Sequence, residues 1–170
     1  MSDTTNLYAR LQAVEDELAI RNLIARYGLT VDCGDADAAA ALHTADCVYE
    51  VVAPGSGRAD NERHVEASLF MEGPEAIREM LNGAGHQALV PNCAHTVGPL
   101  SVDVNGDSAS ATGYSRLYHS DGEDVRLVRL GFNHWLLRRE EGSWRIQRRK
   151  SCPIGSEAAQ QLLKEEISGW

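Results

Sequence analysis

The apolar positions of this chain change their period halfway along. From Leu7 to about Cys33, the residues Leu11, Val14, Leu18, Ile20, Leu23, Ile24, Tyr27 and Val31 recur at steps of three and four, which predicts a long amphipathic helix. Thr4 or Thr5 can cap its start. Ile20, Leu23, Ile24, Tyr27 and Val31 form one stripe, with Asp32 at its edge one turn after Gly28, which leaves space beside the carboxylate. Cys33-Gly34-Asp35 stops the helix, and Asp35 can cap a second one through the alanines to about His43. Cys47 to Val52 then reads as a strand. Pro54 to Phe70 has no period and predicts a long loop. Glu72-Gly73-Pro74-Glu75 opens a third helix, with proline in its first turn, that ends near Asn82-Gly83.

The second half reads as strands. Four runs, Asn92 to Val104, Ser108 to His119, Val125 to Arg139 and Trp144 to Ser151, are separated by Asn105-Gly106-Asp107, Asp121-Gly122-Glu123 and Glu140 to Ser143. Short glycine-bearing breaks between such runs predict an antiparallel meander. Ser156 to Ile167 closes the chain as a short helix with a narrow apolar face, a packing or oligomer-contact segment. Helices first and a sheet after define an α+β architecture. No repeat or linker divides the chain, so residues 1–170 are expected to form a single domain with a core over about 11–150 and a helical tail over 156–167.

Composition narrows the function classes. A chain of 170 residues can bury a sizeable core without disulfides or a structural metal. The net charge of −9 argues against nucleic acid or an anionic membrane as a partner. The late cluster Arg138, Arg139, Arg145, Arg148, Arg149 and Lys150 fits solvated strand faces and ion pairs better than a nucleic-acid groove. No run reaches the roughly 18 apolar residues of a membrane span, and the N-terminus lacks a signal-peptide pattern, so a cytoplasmic location is expected. Cys33, Cys47, Cys93 and Cys152 show no paired spacing, which predicts reduced, mostly buried thiols.

His95 carries the candidate chemistry. In Val90-Pro91-Asn92-Cys93-Ala94-His95-Thr96-Val97 it begins a strand, alternating with Cys93 and Val97. If that face is concave and covered by the first helix, Asp32 and His95 meet inside. A carboxylate that orients an imidazole and stabilises its charged form can move a proton near neutral pH. Each residue also has a plainer reading: Asp32 as a helix-end cap, His95 as a core histidine, Tyr27 and Tyr49 as core aromatics. Strand neighbours face opposite sides, so one of Arg148 and Arg149 points inward and needs a partner there. His86 and Cys93 lie near His95, but their spacing matches no metal-ligand pattern, and no metal is expected.

The order of elements from about Leu11 to Arg149 resembles the SnoaL-like branch of the nuclear transport factor 2-like superfamily. It carries the Gly34-Asp35 turn, Val48-Tyr49-Glu50-Val51, Gly73-Pro74-Glu75-Ala76-Ile77, Ala94-His95-Thr96 and Gly142-Ser143-Trp144-Arg145-Ile146. Within it the pattern is similar to scytalone dehydratase, hexachlorocyclohexane dehydrochlorinase and bile-acid 7-alpha dehydratase. The resemblance implies a cone in which a strongly curved antiparallel sheet wraps around N-terminal helices, with an apolar pocket at one end. It implies Asp32 and His95 as a catalytic acid/base dyad, with Tyr27, Arg149, Tyr49 and Asn133 as substrate-binding residues. It further implies a small hydrophobic, cyclic substrate, no cofactor, and a homo-oligomer, trimer or dimer. The expected activity is dehydratase-like elimination by proton abstraction from carbon. Isomerisation, aldol-type cyclisation and a non-catalytic binding or assembly role are the alternatives. Two features depart from that pattern: Tyr118-His119 stands where the bile-acid enzyme has a further acid, and the strand acids of ketosteroid isomerases have no counterpart.

Overall fold

A computed structural model of the protein describes residues 3–52 and 69–168. Helix α1 runs Asp3–Asp32, α2 Ala36–Ala41, strand β1 His43–Val51, β2 Leu69–Glu72, α3 Gly73–Asn82 and α4 Ala84–Gln87. Strands β3 Cys93–Asn105, β4 Ser108–Ser120, β5 Val125–Glu140 and β6 Ser143–Pro153 follow, then α5 Glu157–Ser168. The six strands form one sheet in the order β2-β1-β6-β5-β4-β3. The expected meander is present, since β3 to β6 pair antiparallel in chain order. One pairing departs from the antiparallel expectation: β1 lies parallel to β6, which makes the sheet mixed. No helix among the described residues is long and apolar enough to cross a membrane.

Local chemistry explains most boundaries. The Asp35 side chain accepts from Ala38 N at 2.9 Å and starts α2. Between β5 and β6, Glu141 and Gly142 both have positive φ, 49° and 78°, as a two-residue turn matching strand twist requires. Several boundaries differ from expectation. Helix α1 already includes Thr4 and Thr5, so neither caps it. Helix α2 ends at Ala41, and His43 opens β1, because Ile146 N–H donates to Leu42 O and draws the chain onto β6. Of the expected loop, 54–68 falls outside the described residues, while Leu69 and Phe70 belong to β2 and pair with Val51 and Glu50.

The core lies between the concave face of the sheet and the helices. Ile20, Leu23 and Ile24 of α1 and Ile77 and Leu81 of α3 pack with Trp135, Leu137, Trp144 and Ile146. Each such side chain contributes roughly 1.5–3 kcal/mol by leaving water. The stripe on α1 is buried only from Ile20 onward; Leu11, Val14 and Leu18 are exposed. A smaller cluster joins Ala159 of α5 to Phe132, Cys152 and Val52, so the last helix packs on the sheet. Of the four free cysteines, Cys33 is exposed and the others buried. The late basic residues make ion pairs, Arg138 with Asp46 and Glu140, Arg148 and Lys150 with Glu50.

Asp16 ties the exposed half of α1 to the sheet. It is buried, accepts from Trp144 Nε1 at 3.1 Å and pairs with Arg139 at 2.8 Å. Burial pushes its carboxyl pKa up, but hydrogen bonds from Arg139, Trp144 and Gln12 outweigh that and hold it below the usual carboxylate value. A depressed carboxylate stabilises the fold above its unfolded pKa, and that contribution is lost as pH falls through the folded pKa. Asp16→Ala is expected to cost about 2–3 kcal/mol, because it strands the indole N–H and a guanidinium that keeps only Asp107. Urea unfolding at neutral pH measures the loss, which should shrink in acid.

Candidate functional site

The end of α1 meets the start of β3. Because β3 is an edge strand, its outward N–H groups have no strand partner, and Asp32 supplies one. Asp32 Oδ2 accepts the His95 backbone N–H at 2.8 Å, and Oδ1 accepts His95 Nδ1–H at 2.6 Å. Cys93 Sγ approaches the same Oδ1 at 3.5 Å. The carboxylate thus fixes both the backbone and the ring of His95. Assigning the proton to Nδ1 leaves the Nε2 lone pair free. Burial lowers the His95 pKa below 6.5 against the opposing pull of Asp32, with Arg149 and His86 adding to the lowering. The ring is therefore neutral at pH 7.

Gly28 allows the approach. A Cβ built there would lie 2.7 Å from the His95 carbonyl oxygen, so the glycine makes room for β3 rather than for the carboxylate. Gly28→Ala must push helix and strand apart. Overpacking of about 1–3 kcal/mol should exceed the roughly 1 kcal/mol of helix propensity gained. Chemical denaturation should show a net loss of stability, and an NMR titration of His95 should show its pKa displaced as the Asp32 contact loosens.

His95 lines a cavity of about 250 Å³ between the helices and the sheet. Tyr27, Gly28 and Val31 of α1, Tyr49 and Val51 of β1, and Met80 and Leu81 of α3 form its apolar side. His86, Gly85 and Leu89 close one end, and Thr96, Val97, Ser115, Arg116, Leu117, Arg129, Arg149 and Ser151 come from the sheet. Asp32 stands behind His95, outside this lining. His86 lies 6.1 Å from the His95 ring, centroid to centroid, and its Nε2 contacts Val31 O at 3.1 Å.

Arg149 is the inward member of the Arg148-Arg149 pair and is buried. Its Nε and Nη2 donate to Asn133 Oδ1 at 3.1 and 3.0 Å, and Asn133 Nδ2 donates to Ser115 Oγ at 2.6 Å. The guanidinium carbon lies 5.1 Å from the Tyr27 ring, 4.7 Å from Tyr49 and 5.5 Å from Trp135. The aromatic rings offset part of the cost of burying this charge. Burial raises the Tyr27 pKa well above its ordinary value despite Arg149, so its hydroxyl keeps its proton. Asn133 itself is fully buried behind Arg149 and positions it, without lining the cavity. Tyr27, Tyr49, His95 and Arg149 therefore face one space, with Asp32 and Asn133 supporting it from outside.

The donor atoms of Asp32, Cys93 and His95 lie within 4.8 Å of one another, as metal ligands would. Their protons argue otherwise. The Cys93 thiol is pushed up to about 11 by burial and by the Asp32 charge, and the carboxylate already accepts two N–H groups. The trio fits a hydrogen-bonded cluster better than a ligand set.

The sequence offers His86 only as a metal ligand to be set aside, and gives Arg129, Arg116, Ser115 and Ser151 no site role. Helix α4, at four residues, is too short for periodicity to show. Arg129 was legible through parity, since Arg129, Gly131 and Asn133 alternate onto one face of β5.

A six-stranded sheet folded over a long helix, with the core and a cavity between them, is the cystatin-like fold. The chain belongs to the SnoaL-like family, whose domain it matches over residues 12–150. It is similar to an NTF2-like protein with a cystatin-like fold from Novosphingobium aromaticivorans, at 38% identity over 96% of this chain and 98% of that one, TM-score 0.82. A candidate scytalone dehydratase from the same organism shares the fold at 19% identity, over 84% of this chain and 95% of that one, TM-score 0.63. So does the β subunit of a candidate aromatic-ring-hydroxylating dioxygenase, at 20% identity over 83% and 90%, TM-score 0.65. No curated protein matches the chain.

Proposed function

We propose that this protein is a dehydratase-type lyase that removes a proton from carbon on a small cyclic substrate, with His95 as base. The observation that carries the reading is the His95 imidazole held by Asp32 at 2.6 Å and lining an open, largely apolar cavity. In that reaction Nε2 of His95 takes a proton from the carbon beside an electron-withdrawing group. The C–H electron pair becomes the new C=C bond as the C–O bond of a β-hydroxyl breaks. The imidazolium returns its proton to the departing hydroxyl, which leaves as water, and Asp32 stabilises the charged ring in between. Tyr27 and Arg149 face the same space as donors for the oxygen on which negative charge develops.

Incubating the protein with cyclic β-hydroxy ketones in deuterated buffer tests this by NMR and mass spectrometry. Loss of water, or exchange of the proton next to the carbonyl, should occur with wild type and fail with His95→Gln. Exchange without water loss selects isomerisation or aldol-type ring closure, which begin with the same step. The same cone serves as a subunit in the dioxygenase relative, so a binding or assembly role is the second reading. Neither exchange nor elimination across the panel would favour it.

A further inference from the structure

The cavity is unusual in its charge. The protein has 25 acidic and 16 basic residues, yet among the described residues the cavity lining holds three arginines and no Asp or Glu. Among the described residues none of Arg116, Arg129 and Arg149 forms an ion pair, whereas Arg138 and Arg139 on the same sheet each pair twice. Arg129 and Arg149 flank a polar floor. Arg129 Nη2 donates to Ser151 Oγ at 2.9 Å, and Ser115 Oγ is held by the Asn133 that also receives Arg149. Gly131 lies between these two hydroxyls. A Cβ there would sit 3.2 Å from Cys152 O, 3.3 Å from Ser115 Oγ and 3.5 Å from Ser151 Oγ, so the glycine lets the two serines come close together on the sheet. Arg116, higher on β4, is anchored by Gly98 O at 2.9 Å and adds a third positive charge.

We infer that the cavity recognises a carboxylate-bearing cyclic substrate, whose carboxylate binds Arg129 beside the hydroxyls of Ser115 and Ser151. Partly buried guanidinium groups without an anion carry a desolvation cost that a bound anion repays. A planar two-oxygen anion suits this set, one oxygen on the guanidinium fork and one over the hydroxyls. Most of the remaining lining is aliphatic or aromatic, including Val31, Val51, Met80, Leu81 and Tyr49, matching a ring attached to that carboxylate. The inference rests on the lyase reading of the same pocket, with Arg149 serving the reacting oxygen and Arg129, two strands across the sheet from His95, holding the carboxylate.

Binding separates the two claims because it needs no turnover. Isothermal titration calorimetry at pH 7 with benzoate, benzamide and phenylphosphonate should show benzoate at least tenfold tighter than benzamide. Arg129→Gln should bring the two within about twofold, and Arg129→Lys should keep part of the preference. Equal binding of benzamide, an unchanged preference in Arg129→Gln, or phenylphosphonate binding tenfold tighter than benzoate would overturn the carboxylate assignment. Arg129-dependent benzoate binding in a protein that exchanges no carbon-bound proton keeps the anion site and overturns the lyase reading. Elimination on neutral ketones with no carboxylate preference does the reverse.

Discussion

His95→Gln is expected to lower kcat/KM by about 10²–10⁴, the usual worth of a positioned general base. Asp32→Asn should fall in the same range for a different reason. An amide placed against Nδ1 donates where the carboxylate accepted, which drives the proton to Nε2 and leaves no lone pair facing the cavity. The double variant should be little worse than either single one, because both act on one proton transfer. The pH profile gives an independent check. Burial holds the His95 pKa below 6.5, so kcat/KM should be flat near neutrality and fall only as pH drops through that lowered value. Asp32 is the main group opposing that depression, so the residual activity of Asp32→Asn should show its acid limb at still lower pH. A purely structural Asp32 would change stability and leave the limb where it was.

Sequence periodicity reached the fold because this chain follows its local rules nearly everywhere. The change from a helical to an alternating pattern near Asn92 falls one residue from the start of β3, and the turn residues mark each hairpin. What escaped was set by tertiary pairing. Leu69 and Phe70 look like loop, yet form β2 against β1, and β1 begins at His43 because β6 offers it a parallel partner. The Asp32 and His95 juxtaposition depended on a resemblance, since no local rule brings positions 63 residues apart into contact. Parity gave only that one of Arg148 and Arg149 points inward; the resemblance chose Arg149, and a bulge after Ile146 is what turns it, rather than Arg148, onto the inner face. Parity could put Arg129 on the inner face but could not show it unpaired: in an acidic chain single arginines look like ion-pair partners until the sheet shows which have no acid among the described residues.

Arg149 carries the second large effect, and its two consequences should diverge. Replacing it with Met removes the buried donor nearest Tyr27 and Tyr49, and loss of a donor aimed at developing negative charge costs about 10²–10³ in kcat. Stability should respond differently. The native guanidinium is buried with no carboxylate among the described residues, held by one amide oxygen and three aromatic rings. Arg149→Met alone leaves Asn133 Oδ1 without its two donors, a loss of about 1–3 kcal/mol that offsets the relief of burying no charge. Arg149→Met with Asn133→Leu removes charge and amide together, and apolar replacement of buried polar groups is neutral or stabilising by about 1–4 kcal/mol. Thermal unfolding should therefore place the double variant at or above wild type while its elimination rate remains depressed. A residue kept against the stability of its own fold is held there by what it does to a ligand. If the double variant instead unfolds well below wild type, Arg149 serves the core, and the oxyanion role passes to Tyr27 alone.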